Sequence, residues 1–421
     1  MSVSTTPAKS SLKHAIGPGL IMAAAAVGVS HLVQSTRAGA DYGFALVWAV
    51  ILANIFKYPF LEYGPRYAIA TQQSMIDGYK KLGNWAFWIF VVFTVGTMFT
   101  VQAAVTIVSA SLVAELTGIV LSPLLWSAIL LAICIGILLA GQYSALDGAI
   151  KLIMIVLALS TLTAVLVAIF KTGDMAAKPV PPSIWTAGGV SFLIALMGWM
   201  PIPIDGSAWH SLWSLERMKQ TGHVPKLKEC LVDFNIGYIG AGILALGFLS
   251  LGALIMFGSG ADFASSGGVF AKQLVAIYTS TLGSWAYWII IICAFTTMFS
   301  TTLTVTDAYP RVTRQIISVI KPGFDASSKQ AYRVLIVVIS ACSLVALYIA
   351  GSNFIFMVDL ATTLSFLSAP VLAFINYRLV MDKHFPEEHR PPVWLRVLSW
   401  CGILFLTGFT LFFVYWKFFQ G

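Results

Sequence analysis

Apolar runs follow one another from end to end of this chain, separated by short polar stretches. Each run is about 20 residues, long enough to cross the roughly 30 Å hydrocarbon core of a bilayer as a helix. The short alternating segments of a membrane β-barrel are not the pattern. Eleven spans are predicted, at roughly 15–41, 44–65, 85–113, 121–141, 147–170, 187–215, 233–257, 285–309, 331–350, 353–377 and 394–416. The chain is expected to be an all-α polytopic membrane protein. A polar tail, residues 1–14, precedes a single transmembrane domain over residues 15–421. The tail carries no small-residue cleavage pattern, so the first span is expected to be retained.

Two spans do not hold one helix. In the sixth, "GWMPIPIDGSAWH" puts Pro201, Pro203, Asp205 and Gly206 within six residues of apolar sequence. In the first, the apolar run from Leu20 to Val27 meets Gly28, Ser30 and His31, then turns polar through Gln34, Ser35, Thr36 and Arg37. Unwinding frees backbone N–H and C=O groups, which hydrocarbon does not tolerate unless they bind something or line water. The breaks lie five spans apart. A repeat of five spans enters the membrane inverted relative to the first, and broken helices in matching places of two such halves point to a midplane transport site. The repeats are placed at about 15–171 and 186–380, with an extra helix at 394–417.

Charge orients the chain. With the N-terminus in the cytoplasm, 18 of the 25 Lys and Arg residues fall on cytoplasmic segments, among them Lys80, Lys81, Arg217, Lys219, Arg311 and Arg314. That asymmetry follows the positive-inside rule and puts the C-terminus outside the cytoplasm. The net charge of +8 is thus assigned to topology and lipid contact, not to nucleic acid. Composition agrees: 58% of the 421 residues are hydrophobic and 10% charged. The five cysteines lack metal-ligand spacing. No phosphate-binding loop, zincin or nucleophile-elbow motif occurs in a suitable context, so an enzyme is not expected, and no cofactor.

The motifs around the first break resemble the Nramp family of proton-coupled divalent-metal transporters. The frame is kept in Gly17-Pro18-Gly19 and in "AGADYGF" from Ala38 to Phe44. "PRYAIAT" from Pro65 resembles the family's basic loop, Asp77 falls where its acid lies, and His210, Ser211 and Arg217 match the end of its sixth span. The resemblance implies the LeuT-type fold, ten core helices in two inverted five-helix repeats plus one. It also exposes departures. The family's "DPGN" aligns with Gly28-Val29-Ser30-His31 and its "MPH" with Pro203-Ile204-Asp205, so none of the three usual metal-binding side chains remains.

These replacements exchange an acid for His31 and leave Arg37 and Lys57 nearby. With half-helix N-termini, such a set suits an anion. The candidate substrate-binding residues are Gly28, Ser30, His31, Gln34, Arg37, Lys57, Pro203, Asp205 and Ser207; the candidate proton-coupling residues are Asp205, His31 and His210. The expected function is proton-coupled import of a small organic anion, with or without a bound divalent cation. The chain resembles a branch of Nramp-related proteins that lacks the metal ligands and is associated with citrate or metal–citrate. The alternative is a proton-coupled symporter for Mg²⁺ or Mn²⁺, since Mg²⁺ keeps most of its water shell and needs few protein ligands. A third reading is a receptor-like relative that has lost transport. Asp359 in the tenth span and the hydroxyl run Thr296 to Asp307 in the eighth are further polar features without an assigned role.

Overall fold

The structure is a computed structural model that describes residues 17–141, 143–171, 179–260, 263 and 266–419, with side chains of 143–154 left aside. The tail at 1–14 lies outside the described residues. Among those described there are fifteen α-helices and no strand. In chain order they are α1 (Pro18–Ala26), α2 (Ser30–Tyr42), α3 (Val47–Thr71), α4 (Met75–Leu82), α5 (Asn84–Thr117), α6 (Pro123–Leu139), α7 (Tyr143–Lys171), α8 (Ala187–Gly198), α9 (Gly206–Thr221), α10 (Leu227–Met256), α11 (Gly267–Leu282), α12 (Ala286–Ile320), α13 (Lys329–Ile349), α14 (Phe354–Val380) and α15 (Val393–Phe419). Six are long and apolar enough to cross a membrane, seven counting the bent pair α1–α2 as one.

All eleven apolar runs are helical, and two are split where expected. The first bends by 46° between α1 and α2. The sixth ends as α8 at Gly198 and restarts as α9 at Gly206, with Pro201 and Pro203 between. The structure corrects the sequence reading in two places. Helix α3 does not stop near residue 65 but runs on through Pro65 to Thr71, because Arg66 reaches back one turn to Glu62 at 2.6 Å and both are buried. The stretch matched to the family's basic loop is therefore helix. Two short helices, α4 and α11, were not expected. Ser74 and Asp77 start α4 with a capping box, each side chain bonding the other's backbone N–H.

Span one lies along α10 through small residues. A Cβ on Gly19 would overlap the backbone of Asp233, and a Cβ on Gly237 would overlap the Gly19 carbonyl. The close approach lets Asp233 cap α1: its carboxylate accepts from the backbone N–H groups of Gly17 at 3.1 Å and Gly19 at 2.6 Å. An acid there satisfies two orphan donors and complements the helix dipole. Glycine at both positions is thus a packing requirement. Gly237→Val is expected to lower stability by about 1–3 kcal/mol through overpacking. A melting curve of the purified variant checks this, and an unchanged midpoint would refute the contact.

Candidate functional site

The two breaks face each other across a cavity of about 20 Å³, room for one water. Ala26 and Ser30 line it from span one, Pro201 and Pro203 from span six, and Thr301 from α12. Its walls are mostly apolar, with Trp199 and Trp209 closing it above and below the sixth-span break. Thr301 donates to the Ala24 carbonyl at 2.9 Å, which satisfies an orphan group at the end of α1.

Ser30 and His31 form a two-state unit. The His31 ring is fully buried, and Nε2 donates to the Ala241 carbonyl on α10 at 2.8 Å. A carbonyl only accepts, so that nitrogen holds a proton. The other nitrogen, Nδ1, lies 2.7 Å from Ser30 Oγ. The Ser30 oxygen is also 2.8 Å from the Ala26 carbonyl and 3.4 Å from that of Pro201. One hydroxyl proton cannot serve all three. With a neutral ring, Ser30 donates to Nδ1. With a protonated ring, Nδ1 donates to Ser30, and the hydroxyl proton turns to the carbonyls of the breaks. His31 reaches the cavity only through Ser30, which lines it.

Span six is bracketed by opposite charges. Lys57 of α3 is fully buried, and its ammonium donates to the carbonyls of Met197 and Gly198, both at 2.7 Å. These are the last residues of α8, where the dipole is negative. Asp205 stands at the N-cap of α9, where it is positive, and is 8% exposed. No ion pair of 4.0 Å or less joins Lys57 to Asp205 among the described residues. Ser207 accepts from the Asn376 amide at 2.9 Å, and Asn376 in turn accepts from Tyr79 at 2.7 Å.

Arg37 and Gln34 sit away from the cavity. The Arg37 guanidinium is 3.0 Å from Asp359 of α14 and 3.3 Å from Asp41, and lies over the Phe192 ring of α8 at 4.5 Å. Gln34 donates to the same Asp359 at 3.0 Å. The Asp359 carboxylate thus ties α14 to α2, and the Arg37 guanidinium adds α8 through the Phe192 ring. His210 lies a turn below Asp205 on α9, packed on Phe234 with neither ring nitrogen hydrogen-bonded. Gly28 touches the Thr301 side chain. Of the nine candidate substrate residues, Ser30 and Pro203 line the cavity. Sequence reasoning missed Asp233, Asn376 and the Trp199–Ser365 hydrogen bond of 2.8 Å. An acid at the very start of the seventh span was the available signal for Asp233.

Two helices broken five spans apart, with their ends around one cavity, define the LeuT-type class of secondary transporter. The chain belongs to the Nramp family: the family model described as natural resistance-associated macrophage protein-like matches residues 19–416. It is 38% identical over 406 residues to an uncharacterized protein of Pasteurella multocida (strain Pm70), covering 95% of this chain and 92% of that one. Its fold is similar to the crystal structure of a manganese transporter of Eremococcus coleocola, with TM-score 0.69 and 14% identity over 100% of this chain and 90% of that one. MhsT in complex with L-phenylalanine is also similar, with TM-score 0.61 and 16% identity over 93% and 98%. At those identities the two structures speak to fold. The chain is an integral membrane protein of a transporter family.

The Arg37–Asp359 pair is partly exposed, at 20% and 33% for the two side chains, so its strength is at most about 1 kcal/mol. Arg37→Gln is expected to loosen this end of the bundle. A cysteine at Ser365, two turns further along α14, should then react with a hydrophilic maleimide roughly two to five times faster, the range that 0.4–1 kcal/mol corresponds to. Labelling kinetics of detergent-purified protein, with the exposed Cys342 and Cys401 replaced by Ser, measure it. An unchanged rate would rule out a closing role.

Proposed function

We propose that the chain is a proton-coupled secondary active transporter whose cargo is a divalent metal ion, such as Mg²⁺ or Mn²⁺, carried with part of its water shell. One observation carries the reading: the C-terminal end of α1 meets the cavity at Ala25 and Ala26. Helix C-termini present carbonyl oxygens and negative potential, which favour a cation. Family membership over 19–416 supports it, and a fold relative is named as a manganese transporter. The Ser30–His31 pair supplies a place for the coupled proton, and Asp205 a second. In this reading the N-terminus is cytoplasmic, the Arg37–Asp359 pair closes the outer end, and the two repeats run over about 15–171 and 186–380, followed by an extra helix at 394–417.

A second reading, transport of a small organic anion such as citrate, alone or as its metal complex, is favoured by a different observation. Among the described residues no group of three or more His, Cys, Asp or Glu is arranged to hold a metal ion. A buried cation, Lys57, is held on the last carbonyls of α8 at the sixth-span break.

Flux into proteoliposomes separates the two. Mn²⁺ or Mg²⁺ uptake is expected to rise with an inward proton gradient and to fall roughly tenfold, about 1.4 kcal/mol, in Asp205→Asn and in His31→Ala. Proton-driven uptake of labelled citrate without metal flux would overturn the metal reading and establish the anion. Absence of any proton-linked flux would remove both.

A further inference from the structure

We propose that the carbonyl pair at the end of α8 is a monovalent-cation site, and that the chain fills it with its own Lys57 ammonium. The site is separate from the cavity, which Lys57 does not line. Three features define it. Two backbone oxygens, of Met197 and Gly198, converge on one point at 2.7 Å each from Nζ. Both belong to a helix end whose carbonyls have no partner within the helix. The point is sealed, since Lys57 is 0% exposed. Backbone carbonyl oxygens are the donors that hold a hard monovalent cation. No carboxylate lies within 4.0 Å of the ammonium among the described residues, so it is held as such an ion is held, by oxygens of backbone dipoles. An ammonium group is close to K⁺ in size.

The consequence reaches the transport cycle. A cation that is part of the chain cannot dissociate. The half-helix α8 therefore stays fastened to α3 whatever the monovalent salt, and the protein needs no Na⁺ or K⁺ to hold the sixth-span break. The inference is independent of which cargo crosses.

The test is thermal melting of detergent-purified protein, with Na⁺ or K⁺ replaced by N-methylglucamine at constant chloride. The wild-type midpoint is expected to be the same in all three. Lys57→Met removes the charge at similar length and empties the site. Its midpoint is expected to be lowered in N-methylglucamine and to rise saturably, by about 2–4 °C, as Na⁺ or K⁺ is added. Lys57→Gln, a milder change, is expected to behave the same way. Identical melting of both variants in every salt would overturn the proposal. So would failure of both to accumulate folded when extracted in high Na⁺ and in high K⁺. The readout is binding, so it does not depend on identifying the cargo.

Discussion

The hydrogen bonds from Lys57 to the end of α8 are what the rest of this structure depends on. A break in a membrane helix leaves carbonyls that hydrocarbon cannot satisfy, and a lysine in a membrane is costly by itself. Each resolves the other's problem. The ammonium gains two acceptors and a favourable dipole, and the helix end gains a donor. Close packing fixes the geometry around them. Gly198 lies against the Thr362 carbonyl of α14, and Gly64 of α3 against the Ser207 carbonyl of α9; a Cβ at either would overlap backbone. Both sides of the sixth-span break are thereby held to α3 and α14, and the cavity has a wall.

The two ends of span one are held with unequal strength. At one end, Arg37 and Gln34 share Asp359 in a partly exposed cluster, worth at most about 1 kcal/mol. At the other, Asp233 accepts two backbone N–H bonds at the start of α1, with Met75 N–H donating to Ser211 at 3.1 Å nearby. Charge-assisted bonds of this kind contribute about 1.5–3 kcal/mol each. The Ser30–His31 pair sits between the two ends, with the Ser30 hydroxyl 2.8 Å from the Ala26 carbonyl and 3.4 Å from that of Pro201.

Much of this was legible in the sequence. Apolar length gave the helices, and Pro201, Pro203 and Gly206 gave the sixth-span break, because proline and glycine act locally through their own backbone. The division of labour among polar residues was not legible. Arg37 and Lys57 look alike in sequence, two cations near breaks. One pairs with an acid 322 positions away and the other with carbonyls 140 positions away. Partners so distant follow from helix packing, which no local pattern encodes. Helix α3 beyond Pro65 was missed for the same reason. The buried Arg66 also donates to the His389 carbonyl at 2.7 Å, and that contact rewards a helix the local sequence would end.

The absent metal ligands are best understood through Gly28. A Cβ there would stand 2.9 Å from the Thr301 side chain, too close unless that side chain turns away. Thr301 in turn spends its hydroxyl on the end of α1. An acid at position 28 would displace that contact, so the family's site has not simply lost one side chain. Thr301 of α12 fills the space beside Gly28, and Lys57 is a buried cation at the second break. A naked transition-metal ion wants several side-chain donors converging. The site offers backbone oxygens, hydroxyls and one acid beyond the break. Under the proposed reading, such donors suit an ion that keeps part of its water shell better than one that needs several converging side-chain ligands.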